Sequence, residues 1–293
     1  MKRTRIPGLI DVIKLDSPEE IDEMGQSACI DRGFEPPRPI VNGLILRHIL
    51  NVLSFRGKRF PTMSAKDAPG RAREQSLLWS SLSDKAAQLK GGPSEVAGLA
   101  SWVKGTGNEN ELGILVQQIV GRAFSESYTA TQESWAAALV LAATHSNNPL
   151  VNYWWRVTGK VQRAKSLLAS KVNGNLAAVH GTGIALHNIV KAFEHMRGLY
   201  IDIGLRSSLS AEAVSRQCLF APAVVLRQAT GDGEIAGCPF RKASLFIVAL
   251  AEAQKHSESE DVVFMNNSWS RCPAEQWVPA LLEGVWRRAT VAS

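Results

Sequence analysis

Val262-Val263-Phe264-Met265-Asn266-Asn267-Ser268-Trp269-Ser270-Arg271-Cys272-Pro273-Ala274-Glu275-Gln276-Trp277 runs from a short apolar segment, through a polar loop, to Cys-Pro. A helical pattern follows. Pro273 fits a first helical position, where its missing N–H costs nothing. The spacing predicts a thiol at a helix N-terminus, where the dipole favours the thiolate. A thiolate beside unpaired backbone N–H groups is a candidate nucleophile or metal ligand. A buried structural cysteine is the competing reading, since free cysteine behaves as a small hydrophobe.

Composition bounds the rest of the chain. Its 293 residues are 45% hydrophobic and 20% charged, which is globular and sufficient for one large domain or two small ones. We read residues 1–293 as a single domain. The 33 Lys and Arg against 27 Asp and Glu give +6. The cations cluster only at Lys2-Arg3-Thr4-Arg5, Arg56-Gly57-Lys58-Arg59 and Arg287-Arg288. No dense stripe or nucleic-acid motif accompanies them, so nucleic acid is not an expected partner. The excess suits an acidic redox partner or acidic substrates. Cys29, Cys218, Cys238 and Cys272 form no Cys-x-x-Cys pair, which argues against zinc and thioredoxin-like chemistry. The longest apolar run, Trp135 to Ala143, is too short to cross a bilayer. Asp11, Lys14 and Asp16 interrupt any N-terminal leader pattern. The expectation is a soluble, cytoplasmic protein with no membrane partner.

Leu9–Leu15 reads as a strand. Ser17-Pro18-Glu19-Glu20 opens a short helix, with Ser17 as cap and Pro18 at the first position. Residues 31–41 read as Pro-rich loop, 42–54 as helix and 56–74 as irregular. Apolar periodicity predicts helices over 75–90, 94–104, 110–123, 131–145, 149–171 and 175–204. Strands are predicted at 224–229, 232–236 and 244–249. Glu258, Glu260 and Asp261 look like a polar linker, and a last helix is expected from Pro273 to about Arg288. The expected class is mainly α with a few small β-strands.

Residues 211–277 carry a more specific order. The short helix Ala211-Glu212-Ala213-Val214-Ser215-Arg216 leads to Val225-Leu226-Arg227-Gln228-Ala229-Thr230-Gly231-Asp232-Gly233-Glu234-Ile235-Ala236-Gly237. Leu245-Phe246, Ala251-Glu252-Ala253-Gln254 and the Cys272 loop follow. This order resembles the C-terminal part of the cytochrome P-450 haem-thiolate monooxygenases. Their pattern runs helix, Arg-x-Ala-x-x-Asp-x-Glu-x-x-Gly, strand, then a Phe-initiated cysteine loop. Upstream, Ala178-Val179-His180-Gly181-Thr182-Gly183 is similar to their distal motif Ala-Gly-x-Asp/Glu-Thr-Thr. Gln118 to Ser125 resembles their Arg-x-x-x-x-x-Phe-Ser segment, and Ile6 to Cys29 their first strand and helix.

The resemblance implies a reduced P-450 fold and an oxidoreductase holding haem b, with its iron bound by Cys272. Arg227 and Arg216 would pair the propionates. Phe264 would open the cysteine loop. Thr182 would be the oxygen-handling threonine, with Ala178 and Val179 lining the distal side. The substrate would be a small apolar or aromatic molecule, and a redox partner is implied. The chain departs from the pattern at Asn267 and Ser268, which replace loop glycines, at Ser270, which replaces a basic residue, and at Ala274. Glu212 and Arg216 stand four apart and can pair on one helical face. Gly181 stands where the family has an acid. Proton delivery would then lack a carboxylate, favouring peroxide or hydroperoxide over O2, and Gly181→Glu would shift that balance back.

Two alternatives remain at this level. One is a haem-free descendant acting as a partner or scaffold protein. The other is a helical haem oxygenase with a histidine ligand. His180, His187 and His195 lie on one predicted helix, with His180 and His187 seven apart on one face. Tyr153, Trp154 and Trp155 read as core or pocket wall.

Overall fold

A computed structural model describes every residue except 33, 35–38, 90–93, 145–148, 203–207, 258–259 and 292–293. Its chain divides into two compact units. Residues 1–76 and 221–273 form the first, and residues 77–220 and 274–293 the second.

A mixed sheet of order β1-β2-β9-β6-β3 organises the first unit. Its strands are β1 (Lys2–Ile6), β2 (Ile10–Leu15), β3 (Ile30–Asp31), β6 (Val225–Ala229) and β9 (Leu245–Val248). Only β2 and β9 run parallel; β1, β6 and β3 pair antiparallel to their neighbours. The sequence reading missed β1 because Lys2-Arg3-Thr4-Arg5 has no buried face. It is an edge strand, where charge is an asset rather than a defect. Helix α1 (Pro18–Gln26) has the expected start, with a full capping box between Ser17 and Glu20. Helix α2 (Ile40–Val52) packs Leu46 into a core with Val12, Phe34, Met63 and Leu245.

A hairpin of β4 (Ser54–Phe55) and β5 (Lys58–Arg59) runs into residues 56–74, which were expected to be irregular. Its turn places Arg56 and Gly57 at positive φ, the geometry that suits tight hairpins. Helix α3 (Arg71–Leu89) starts earlier than expected. A second hairpin pairs β7 (Gly233–Ile235) with β8 (Cys238–Phe240). Pro239 hid β8, since proline within a run argues against a strand. Gly233 is required here, because a Cβ would lie 2.6 Å from the Phe240 ring.

The second unit is helical: α4 (Ala97–Val103), α5 (Leu112–Phe124), α6 (Gln132–Ala143), α7 (Pro149–Val157), α8 (Lys160–Lys171), α9 (Leu176–His180) and α10 (Leu186–Ile201). The helix expected over 149–171 is two helices, parted where Gly159 adopts φ +68°. The helix expected over 175–204 is interrupted by a π-helical turn, Gly181–Ala185. Helix α11 (Ala211–Cys218) follows. Helices α12 (Leu250–Ala253) and α13 (Asp261–Phe264) belong to the first unit, and α14 (Trp277–Thr290) to the second. The fold is mainly α with small sheets, as the sequence led us to expect.

Lys165 lies fully buried on α8. Burial pushes its pKa down to about 8 from an ordinary 10.5. Between those values Lys165 of the unfolded chain binds more protons than that of the folded one, so this group contributes stability that rises with pH across the window. Below pH 8 the burial cost is present in full. We expect Lys165 to contribute a rise of about 2–3 kcal/mol from pH 8 to 10.5, against an opposing loss from Cys218, whose buried thiol stays neutral to about 12 while the unfolded thiol ionises from its ordinary 9.0; the rise is therefore read as the difference between the parent and Lys165→Met. Denaturant melts of Lys165→Met should show this rise lost; an equal rise in the variant would remove Lys165 as its source.

Candidate functional site

The cysteine loop closes on itself. Helix α13 ends at Met265 in the left-handed region, φ +54°. The Ser268 N–H then donates to Met265 O at 2.9 Å, and Arg271 N–H to Ser268 O at 3.0 Å. The Cys272 N–H donates to Phe264 O at 2.7 Å. Phe264 is buried and Cys272 half-buried. Helix α1 supports the loop from beneath: a Cβ on Gly25 would lie 3.1 Å from Ser268 Cβ. One expectation fails. Pro273–Gln276 are turns and the helix begins only at Trp277, so Pro273 is not a first helical residue and Cys272 does not cap a helix.

Cationic side chains gather around this loop instead. The Arg71 Cζ lies 4.4 Å from the Trp269 ring centroid, that of Arg32 5.3 Å and that of Arg227 5.9 Å. Arg227 donates from NH2 to Ser270 Oγ at 2.7 Å and from NH1 to Leu226 O at 2.7 Å. Its NH2 also lies 3.5 Å from Met265 Sδ. Arg32 donates to Ser270 O at 3.4 Å. Both guanidiniums are buried, and the Nε of each has no hydrogen-bond partner among the described residues. Burial pushes the Arg227 pKa down to about 10, and the neighbouring Arg71 charge adds to the effect. Arg32 is driven well down by burial, then by Arg227 and Arg71; Asp31 and the Cys272 thiol oppose this. The Asp31 carboxylate itself accepts the Lys66 N–H at 2.8 and 3.1 Å. Among the described residues no carboxylate forms an ion pair with Arg32, Arg71 or Arg227.

Burying a charge without a counter-ion is costly. Two buried guanidiniums with unused donors therefore fit an anionic ligand bearing carboxylates. The loop also carries a thiol within electrostatic reach of Arg32. This donor set fits haem: carboxylates for the arginines, and a soft sulfur ligand for iron. Of the other thiols, Cys29 and Cys238 are half-buried like Cys272, and Cys218 differs. Cys218 is buried and its pKa is pushed up to about 12, so it stays neutral. Among the described residues no three His, Cys, Asp or Glu side chains converge as a metal site.

The remaining predicted residues lie in the second unit. Ala178, Val179 and Thr182 are fully buried. Thr182 Oγ1 donates to Ala178 O at 2.7 Å, and Thr182 O accepts from Gln117 Nε2 at 2.9 Å. Gln117 Oε1 in turn accepts from Ser134 Oγ at 2.6 Å. The Tyr128 hydroxyl is buried beside the Ser134 and Thr182 hydroxyls, without a well-formed hydrogen bond to either. Gly181 has no room for a side chain: a Cβ would lie 2.8 Å from Phe124 and 3.5 Å from Val120. Arg216 and Glu212 stand exposed on α11 in the second unit without an ion pair between them, whereas Arg227, Phe264 and Cys272 all belong to the first unit.

The histidine arrangement also changes. The π turn inserts one residue between His180 and His187, about 100° of helical rotation, which takes them off a common face. The His187 Nε2 lies 3.2 Å from Ala138 O, its ring stacks at 5.3 Å on Trp135, and burial pushes its pKa down.

Arg32, Arg71 and Trp269 were not singled out from sequence. Arg32 sits 195 residues before Arg227, and only the β3–β6 pairing of Asp31 with Gln228 brings them together. A basic residue flanking a short strand carries no signal by itself.

No family model and no curated protein matches this sequence. Solved structures match its fold. A cytochrome P450 of Mycobacterium smegmatis with econazole bound aligns at TM-score 0.63 and 14% identity, covering 98% of this chain and 86% of that one. The cytochrome P450 OleT, in a variant complexed with arachidonic acid, aligns at TM-score 0.64 and 9% identity, with 97% and 82% covered. CxnD, described as a cytochrome P450 for C-S bond formation in chuangxinmycin biosynthesis, gives TM-score 0.59 and 14% identity, with 94% and 79% covered. The chain therefore has a cytochrome P450 fold, in a sequence far from those proteins.

The packing at Gly181 revises the expectation for Gly181→Glu. The new carboxylate would enter a filled, buried site against Phe124. We expect a loss of about 3 kcal/mol or more from overpacking and an unpaired charge. A thermal melt of purified Gly181→Glu checks this, and a melting point equal to that of the parent would show that the site has room.

Proposed function

We propose that this protein is a haem-thiolate oxidoreductase of P450 type, holding haem b through Cys272 and acting as a monooxygenase or peroxygenase on a small apolar or aromatic molecule. The observation that carries the reading is the pair of buried guanidiniums, Arg227 and Arg32, which form no ion pair with a carboxylate among the described residues, against the loop that bears Cys272. When bound, haem with thiolate ligation supplies cleavage of an O–O bond.

The chain's own residues divide the remaining work. Arg227 and Arg32 offer charge-assisted hydrogen bonds to carboxylates. Arg227 also donates to Ser270, so it tensions the loop from the sheet side. The Phe264 carbonyl holds the Cys272 N–H and fixes the backbone from which the thiol projects. Thr182, with Ala178 and Val179 in the preceding turn, keeps the distal role the resemblance gives it, and Arg216 a lesser one at a propionate. The Thr182 hydroxyl is committed to Ala178 O and Gly181 admits no acid. Proton delivery at that position then has no carboxylate to draw on, which supports peroxide or hydroperoxide as oxidant. The neighbouring structures with arachidonic acid and econazole bound support an apolar substrate. We place the protein in the cytoplasm as one haem-binding domain, with an acidic redox partner suited to its net charge of +6.

A haem-free partner protein is the second reading. Its support is the Arg227–Ser270 bond, by which the loop satisfies part of the guanidinium without any ligand. A histidine-ligated haem has less support, since His187 is engaged by Ala138 and packed on Trp135.

Reduced protein exposed to carbon monoxide should show the red-shifted Soret band of thiolate-bound haem. Cys272→Ser should abolish it, while Cys218→Ser and Cys238→Ser leave it. A normal band in Cys272→Ser would sink the ligand assignment.

Arg227→Ala tests the cofactor reading against the haem-free one. A ligand bound only by the folded state stabilises it by mass action. We expect the variant to lose haem and, with it, the part of the melting temperature that haem confers. Full haem retention at an unchanged melting point would remove Arg227 from the site. Protein that takes up no haem when supplied in excess would favour the partner-protein reading.

A further inference from the structure

Helix α7 is amphipathic the wrong way round. Its inward-facing positions are Asn152 and Trp155, both half-buried, and Asn152 Nδ2 donates to Thr144 O at 3.1 Å. The opposite face carries Leu150, Tyr153, Trp154 and Val157, which recur at the three- and four-residue spacing of one helical stripe. They are 76%, 67%, 65% and 62% exposed. Val151 beside them is 40% exposed. The sequence alone suggested these aromatics as core or pocket wall; the structure turns Tyr153 and Trp154 to the surface. A contiguous exposed apolar patch marks an interaction surface.

The charge around this stripe says what kind of surface it meets. The 60 residues from Ser134 to Phe193, which include α7, contain no Asp or Glu; Lys165 among their cations is fully buried, and Lys160 and Arg163 are the ones placed at the stripe. At the turn between α7 and α8, Lys160 Nζ sits 4.1 Å from the Trp155 ring centroid. The exposed Arg163 donates to Thr158 O at 2.8 Å. Cations are thus held at the C-terminal end of the stripe. Tyr and Trp are side chains that settle at the headgroup level of a bilayer, and lysine and arginine flanks are drawn to anionic lipid. An acidic protein partner would be met by cations across its face. Here the centre of the patch is apolar and only its margin is basic, which is the arrangement of a helix lying in an interface.

We propose that α7 docks the protein on the surface of an anionic lipid bilayer. Leu150, Tyr153, Trp154 and Val157 enter the headgroup boundary, while Lys160 and Arg163 meet lipid phosphates. This is adsorption, not spanning: among the described residues no helix is long and apolar enough to cross a membrane. The inference does not depend on haem or on Cys272.

The test is flotation of the full chain with vesicles of phosphatidylglycerol or of phosphatidylcholine, at low and high salt. We expect binding to phosphatidylglycerol, at least tenfold weaker on phosphatidylcholine and weakened by salt. The double variant Leu150→Glu, Trp154→Glu should lose at least tenfold in vesicle affinity. Lys160→Glu, Arg163→Glu, which leaves the apolar stripe untouched, should lose binding in a salt-dependent way. Circular dichroism and melting temperature check that each variant is folded, and Tyr153→Ser stands in for the first if it is not. No binding to phosphatidylglycerol overturns the proposal. So does equal binding to both lipids, or full binding by folded variants. Sedimentation that shows a dimer dispersed by Leu150→Glu, Trp154→Glu, without vesicle binding, would make the stripe a contact between copies and overturn it as well.

Discussion

A guanidinium removed from water must find negative charge or lose part of its own. Arg227 and Arg32 are in that position, and much of the first unit is arranged around them. Arg227 comes from the interior strand β6, where it pairs with Phe246 of β9 on one side, and β3 pairs the next residue, Gln228, on the other. It reaches across to Ser270 and so links the sheet to the cysteine loop. Arg32 leaves the end of β3 and donates to the carbonyl of the same serine. Trp269, between these two contacts and Arg71, offers ring faces to the three cations. A ring face is a weak counter-charge, of order 1 kcal/mol, and cannot offset the burial of two charges.

The sequence made the class, α1 and its cap, and the strands at β2, β6 and β9 legible, because each follows from periodicity or capping chemistry. It hid what depends on context. β1 has no buried face, β8 contains Pro239, and the π turn at Gly181–Ala185 leaves the apolar pattern of the long helix almost unbroken. Cys272 and Arg227 could be picked out because they fall within one ordered motif. Arg32, Arg71 and Trp269 could not, since their meeting depends on a two-residue strand pairing across nearly two hundred residues. Tyr153 and Trp154 misled in the other direction. Composition assigns large aromatics to the interior, and only the backbone shows which face of α7 they occupy.

Glycine positions explain two of the departures from the P450 pattern. The cysteine loop has lost its own glycines, yet it still approaches a neighbouring backbone closely, because Gly25 on α1 supplies the space from the other side. Gly181 makes the reverse exchange. Its hydrogen lets α5 bring Phe124 against the π turn, and that packing excludes the acid that would otherwise stand there. Gly183 is used in the same way, since a Cβ there would lie 2.8 Å from both Leu141 and Leu168. The missing carboxylate is thus a consequence of how three helices close around the turn. It cannot be restored by one substitution without moving Phe124.

The cysteine loop shows how one support can replace another in a fold. From sequence, a helix N-terminus was to hold the Cys272 thiol. That device contributes only within the first turn of a helix, and the residues after Cys272 are turns. The structure offers a backbone hold instead. The Cys272 N–H donates to Phe264 O at 2.7 Å, and Ser270, two residues earlier, accepts from Arg227 at its hydroxyl and from Arg32 at its carbonyl. One serine thus fastens the segment that carries Cys272 to both buried cations. A ligand that drew either guanidinium away from Ser270 would pull on the backbone from which the thiol projects, so the anion site and the cysteine are joined through a loop of a few residues rather than through direct contact.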